Sequence, residues 1–98
     1  MEALGLAAIQ RHLGKLNEDL QENPWVIEDE KLHKKFVFSN FIEAFGFMTQ
    51  SAIIAEAMNH HPEWFNVYKN VVVDLTTHEA GGLTELDFQL ADKMQKIL

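Results

Sequence analysis

Two prolines and a glycine pair divide this 98-residue chain into short runs: Pro24, Pro62 and Gly81-Gly82. Proline lacks an amide hydrogen and pushes the residue before it out of the helical region, so no helix or central strand passes through Pro24 or Pro62. Each run is therefore assigned by its own hydrophobic period. Ahead of Pro24, from about Ala3 to Gln21, Ile9, Leu13, Leu16 and Leu20 recur at spacings of four, three and four, which predicts an amphipathic helix. After Pro24, Trp25–Glu28 and Leu32–Phe38 read as a hairpin of two strands around the polar stretch Glu28-Asp29-Glu30-Lys31. Lys34 shares a face with Leu32, Phe36 and Phe38, which predicts an edge position or a frayed start.

Asn40, with Glu43 three residues on, has the spacing of a capping box and opens a long helix running to about Asn59. Phe41, Phe45, Met48, Ala52 and Ala55 line one face of it. Phe47, Ile53, Ile54 and Met58 widen the apolar surface beyond what one core contact needs, which points to a subunit contact. Pro62 ends this helix. Phe65–Tyr68 and Val71–Thr76 follow as strands joined at Lys69-Asn70, the second alternating Val71, Val73, Leu75 against Val72, Asp74, Thr76. Beyond Gly81-Gly82, Thr84 and Asp87 have cap spacing, Leu83 and Phe88 form a hydrophobic staple, and Leu86, Leu90, Met94 and Ile97 make a buried stripe. The order is α-β-β-α-β-β-α. The expected class is α+β, a four-stranded antiparallel sheet with three helices packed on one face, in a single domain spanning 1–98.

Charge narrows the partners. Eight Lys and Arg against fifteen Asp and Glu leave a net charge of −7, and Arg11 is the only arginine. Nucleic acid and anionic lipid both need clustered cations, so direct contact with either is excluded. No apolar run reaches the roughly 20 residues of a membrane span. Glu2 stands where a signal peptide carries positive charge, so a soluble intracellular protein is expected. The chain has no cysteine, which removes thiolate nucleophiles and cysteine zinc sites.

Five histidines remain as candidate chemistry. His12 and His33 read as surface residues. His60, His61 and His78 lie near element ends together with Glu56 and Asp87. Glu56 and His60, four apart, share a helix face, and adjacent His61 must point elsewhere. Imidazoles titrate near neutral pH, so several in one place supply both an acid and a base, with carboxylates to orient them. Taken singly, each favours a bland reading, Asp87 as a cap, His78 as a loop residue and His60-His61-Pro62 as a helix stop; their joint occurrence weakens it. A metal site is disfavoured, since there is no His-x-His or His-x-x-x-His pair.

These residues also resemble a known family. Glu56 is followed by three residues and His60-His61-Pro62, then five residues and Tyr68, nine and His78, eight and Asp87. This spacing, with Ala44–Thr49, His60–Tyr68 and Thr77-His78-Glu79, resembles the pterin-4a-carbinolamine dehydratase family, and the likeness runs from about Trp25 to the C-terminus. The resemblance implies a hydro-lyase that converts 4a-hydroxytetrahydrobiopterin to quinonoid dihydrobiopterin and water in tetrahydrobiopterin recycling. The pterin would be the substrate, with no metal and no cofactor. His60, His61 and His78 would be catalytic, Glu56 and Asp87 supporting, and Trp25, Phe45, Pro62, Trp64 and Thr77 would contact the substrate. It further implies homodimers whose sheets join, homotetramers, and a cytoplasmic location. Animal members also act as dimerisation cofactors of a hepatocyte homeodomain transcription factor, binding its dimerisation helices. That role is the alternative function and would add a nuclear location.

Overall fold

The computed structural model describes residues 1–98. Its elements are α1 (Leu6–Asn17), β1 (Val26–Glu28), β2 (Lys31–Val37), α2 (Phe41–Met58), β3 (Glu63–Val67), β4 (Asn70–Leu75) and α3 (Glu85–Gln95), with a single 3-10 turn at His78–Ala80 before α3. The four strands form one antiparallel sheet in the order β1-β2-β4-β3, so the two hairpins meet where β2 pairs β4. The class and the element order are those expected from the sequence.

Both hairpins close through two-residue turns that use left-handed backbone, at both residues of the first and at the leading residue of the second. Asp29 and Glu30 have φ of 51° and 65°, and Tyr68 has φ of 52°. Such turns match the twist of the strands they join. The second turn lies at Tyr68-Lys69, one residue earlier than expected, and Asn66 Nδ2 braces it by donating to the carbonyls of Tyr68 and Asn70. β3 starts at Glu63 rather than Phe65, because Glu63 and Trp64 pair with Asp74 and Val73 of β4 directly after Pro62.

α1 is shorter than its hydrophobic stripe suggests, and Pro24 is not what stops it. Asn17 Oδ1 accepts from the Trp25 amide and Asn17 Nδ2 donates to the Trp25 carbonyl, so the helix ends where its last side chain latches onto the start of the hairpin.

The core lies between one face of the sheet and the helices. Leu32, Phe36, Val71, Val73 and Leu75 come from the sheet, Ala44, Phe47 and Ala55 from α2, and Phe88, Leu90, Ala91 and Met94 from α3. Each large apolar side chain so buried contributes roughly 1.5–3 kcal/mol. In α2 the inward stripe differs from the expected one: Ala44, Phe47, Ser51 and Ala55 are buried, whereas Phe41, Phe45 and Ala52 face outward. Small residues let α2 approach the sheet closely, and a stripe led by two phenylalanines would hold it off.

Lys34 corrects a second expectation. It lies in the interior of β2, 4% exposed, beside β4. Its ammonium donates to Gln95 Oε1 at 2.7 Å, a position shared with the Trp25 indole N–H at 3.0 Å, and sits 5.0 Å from the Phe36 ring centroid. No carboxylate meets it, and burial pushes its pKa below 10.5. Burial penalises the charged form, and the penalty is full below the folded pKa. It fades as pH rises through that value toward 10.5. Lys34→Met should therefore stabilise the protein at neutral pH by about 1–3 kcal/mol. The gap to wild type in thermal melts should narrow as pH is raised toward 10.5. A melting temperature equal to wild type at neutral pH would count against this account.

Candidate active site

The end of α2 and the start of α3 build one half of the site by local rules. Asn59 closes α2 in the left-handed conformation, φ 52°. The Asn59 amide donates to Glu56 O at 3.1 Å and the His60 amide to Ala55 O at 3.0 Å. This paired closure turns the chain sharply and carries His60 inward, to 8% exposure. At α3, Thr84 Oγ1 accepts from the Leu86 amide, and Asp87 Oδ2 reaches back to accept from the Thr84 amide at 2.9 Å. Asp87 is thus the capping group of the bland reading, but its carboxylate does more. Oδ2 also accepts from Thr77 Oγ1 at 2.8 Å, and Oδ1 meets His60 Nε2 at 2.6 Å. Asp87 is fully buried with three donors aimed at it. It is an acceptor throughout, so Nε2 carries the His60 proton. Nδ1 makes no hydrogen bond within the chain. The one sealed side-chain polar atom without a partner is Ser51 Oγ, so Nδ1 of His60 is open to the surface.

The other two histidines stand on the outside. His61 Nε2 meets Glu56 Oε1 at 2.8 Å. The expected pairing is therefore corrected: Glu56 serves His61, not His60, because the turn at Asn59 swings His60 away from the helix face that Glu56 occupies. His78, in the 3-10 turn, meets Glu63 Oε2 at 2.8 Å through Nε2. The opposite oxygen of Glu63 accepts from Lys31 Nζ. The Lys31 hydrogen bond, followed by that of His78, holds the Glu63 carboxyl below the usual carboxylate range, and the Lys31 ammonium is raised in turn by Glu63. All three histidines thus meet a carboxylate of their own through the same ring nitrogen. The units are joined through the chain, since Thr77, which holds Asp87, precedes His78, and Pro62 links His61 to Glu63.

Several expected substrate contacts lie elsewhere. Trp25 is 1% exposed, its indole bonded to Gln95, and belongs to the core; it has no surface to offer a ligand. Phe45 is half-exposed on the outer side of α2, and the helix from it to Met58, thirteen residues on, spans about 20 Å, so in its own chain it stands apart from the histidines. Thr77 is buried on Asp87 instead of open to solvent. Pro62 and Trp64 are half-buried beside the cluster, with Trp64 packed against the core. Glu63, Lys31 and Thr84 are site-building residues that the sequence reading did not single out as such. Glu63 sits directly after Pro62 in the motif, which was the only signal available. His12 and His33 are less exposed than expected: His12 stacks on Phe88, and His33 is held between Asp74 and Glu28. A concavity between α1 and α3, walled by His12, Glu85, Phe88 and Asp92, is lined by none of the cluster's histidines.

The family model for pterin 4 alpha carbinolamine dehydratase matches residues 4–97. The chain belongs to the pterin-4a-carbinolamine dehydratase family. A Rhizobium johnstonii protein bearing the name pterin-4-alpha-carbinolamine dehydratase is 53% identical over 98% of this chain and 91% of its own. One from Rhizobium etli bearing the same name is 65% identical over 74% of this chain and 73% of its own. A crystal structure from Brucella melitensis, described as a transcriptional coactivator/pterin dehydratase, superposes with a TM-score of 0.84 at 41% identity, covering 98% of both chains. The family is one of dehydratases, and the chain is an enzyme of that class. No helix is long and apolar enough to cross a membrane.

Proposed function

We propose that the protein dehydrates 4a-hydroxytetrahydrobiopterin to quinonoid dihydrobiopterin and water by general acid–base catalysis at His60, His61 and His78. The C4a–O bond breaks as a proton reaches the leaving hydroxyl, a ring N–H gives up its proton, and its electrons form the new C=N bond. One proton enters and one leaves, so the step needs groups that exchange protons and no redox partner or cofactor. The observation that carries the reading is the set of three imidazoles, each held through Nε2 by its own carboxylate. An imidazole oriented in this way has its second nitrogen free to give or take a proton. We assign His60 and His78 to the leaving hydroxyl and His61 to the ring proton, with Glu56 and Asp87 orienting His61 and His60. Freshly generated carbinolamine, followed in a stopped assay, should disappear faster with the protein than with buffer. His78→Ala should retain less than about a tenth of that rate. Wild-type protein that leaves the spontaneous rate unchanged would end this reading.

The enzyme acts as a homodimer or homotetramer in this reading, located in the cytoplasm. Phe41, Ile42, Phe45 and Ile53 present an apolar face of α2 to solvent, and β3 is an edge strand. The same face favours a second reading, a protein-interaction module that serves a homeodomain transcription factor through its dimerisation helix, partly in the nucleus. The coactivator description of the Brucella melitensis protein supports it. With a net charge of −7, such a role would run through protein contacts and not through DNA. Sedimentation of mixed tagged and untagged protein separates the readings, because a homotetramer that never exchanges subunits leaves no helical face for a partner.

A further inference from the structure

His78 is the most exposed of the three histidines, its side chain 76% accessible. A free imidazole rotates among rotamers and exchanges its proton between two nitrogens. Yet one contact is well defined, the 2.8 Å approach of Nε2 to Glu63 Oε2, and Glu63 is itself anchored by Lys31. Lys31 and Glu63 belong to strands that are not neighbours. β2 and β3 flank β4 on opposite sides, about 9–10 Å apart, so the pair bridges across the outer face of β4.

The placement has an electrostatic cause. Glu63 lies directly opposite Asp74 in the β3–β4 register, and like charges so placed repel. Asp74 is engaged by His33 Nδ1 at 2.8 Å, and His33 Nε2 lies 3.0 Å from Glu28. Lys31 is the cation that turns Glu63 outward toward the end of β4, where His78 emerges; Glu79 is the other carboxylate next to His78 in its turn. As a surface ion pair, Lys31–Glu63 contributes little to stability, with both side chains over a third exposed. Its geometry matters for the imidazole it aims.

We propose that Glu63, anchored by Lys31, is a positioning residue that fixes His78 in the tautomer with the proton on Nε2, leaving Nδ1 to exchange protons with the pterin. The catalytic half of this statement rests on the dehydration reading above, and the tautomer half does not. Glu63 would do for an exposed histidine what Asp87 does for the buried one, with a lysine from a distant strand in place of the threonine and backbone donors around Asp87.

Long-range 1H–15N spectra of His78, with kcat and KM for dehydration, test it. Wild-type protein should show the Nε2-protonated pattern. Glu63→Leu should show both tautomers, with kcat lowered about tenfold or more and KM within about twofold. Its melting temperature should stay within about 3 °C of wild type, as expected for an exposed pair. In Glu63→Gln the ammonium of Lys31 can only donate and takes the amide oxygen, so the NH₂ faces Nε2 and the Nδ1-protonated pattern should grow; Lys31→Met should fall between wild type and Glu63→Leu. An unchanged His78 spectrum in Glu63→Leu overturns the proposal whatever happens to the rate. A changed spectrum with wild-type kcat also overturns it. If wild-type protein does not dehydrate the carbinolamine, the functional reading fails on its own, and the spectra still decide the positioning role.

Discussion

Replacing His60 with glutamine should lower the dehydration rate by about 10²–10⁴-fold while leaving the fold largely intact. The contrast follows from the two nitrogens of His60. Nε2 donates to Asp87 Oδ1 at 2.6 Å, and the amide N–H of glutamine reaches toward the same oxygen. Nδ1 has no partner within the chain and, in the proposed mechanism, is the nitrogen that exchanges a proton; glutamine offers no titratable atom there. His60→Ala should lose the same activity and also stability, because it removes one of three donors from a fully buried carboxylate. Such an unmet bond costs about 1–3 kcal/mol. In a domain of this size, 1 kcal/mol corresponds to roughly 4–8 °C in melting temperature. Rates for the two variants, read against their melting curves, separate chemistry from folding. A glutamine variant with wild-type kcat would remove His60 from the mechanism.

Asp87→Asn should cost a comparable factor, about 10³-fold or more, by a different route. Asp87 accepts from three donors: the Thr84 amide and Thr77 hydroxyl at Oδ2, and His60 Nε2 at Oδ1. Asparagine has one oxygen and one NH₂. A backbone N–H cannot reverse its polarity, so the oxygen must take the place of Oδ2 and the NH₂ must face His60. The imidazole then has to accept at Nε2, and its protonated form, which in the proposed mechanism gives the Nδ1 proton to the leaving hydroxyl, loses the carboxylate that stabilises it. The N-cap of α3 survives, so the stability loss should stay at about 1–2 kcal/mol. Asp87→Ala removes the cap as well as the partner of His60 and should cost more, about 3–5 kcal/mol. The 15N shifts of His60 in the asparagine variant are the direct check. If Nε2 stays protonated and kcat stays near wild type, Asp87 does not set the tautomer.

The parts of this site that were legible in the sequence are those set by local rules. The Thr84–Asp87 spacing predicts a cap, and the cap is there. His60-His61-Pro62 predicts a helix end, and Asn59 supplies it one residue earlier. Alternation in β4 correctly assigns Val71, Val73 and Leu75 to the inside. The pairings were not legible. Glu56 is four residues from His60 and five from His61, and helical spacing alone favours the wrong partner, because the left-handed residue between them resets the direction of the chain. Glu63 and His78 are fifteen residues apart and meet only because the β3–β4 hairpin folds them onto each other.

The helix faces tell the same story. α2 is apolar nearly all round, so its period carries little information about which side faces the sheet. Phe41, Phe45 and Ala52 make as regular a stripe as Ala44, Phe47 and Ser51, and only close packing against the sheet selects the second. Lys34 fails the sequence reading for the opposite reason. Its charge argues for an edge or a frayed start; β1 does pair only as far as His33, but at Lys34 the strand is held by β4 and the side chain is buried against the Trp25 and Phe36 rings.

What the sequence by itself determined was the set of elements, their order, the residue types of the site and the family. Hydrophobic period, capping residues, prolines and motif spacing are all properties of short stretches or of linear order, and they survive without knowledge of what lies across the sheet. Only the tertiary structure decided which carboxylate holds which histidine, which side of α2 is free, and that a lysine of β2 anchors the carboxylate that meets the histidine after β4. Those outcomes depend on strand order and register, where a shift of one residue exchanges one face of a strand for the other. In this fold it is the β2–β4 pairing, absent from any local pattern, that sets Lys31 and Glu63 on the same face, on either side of β4.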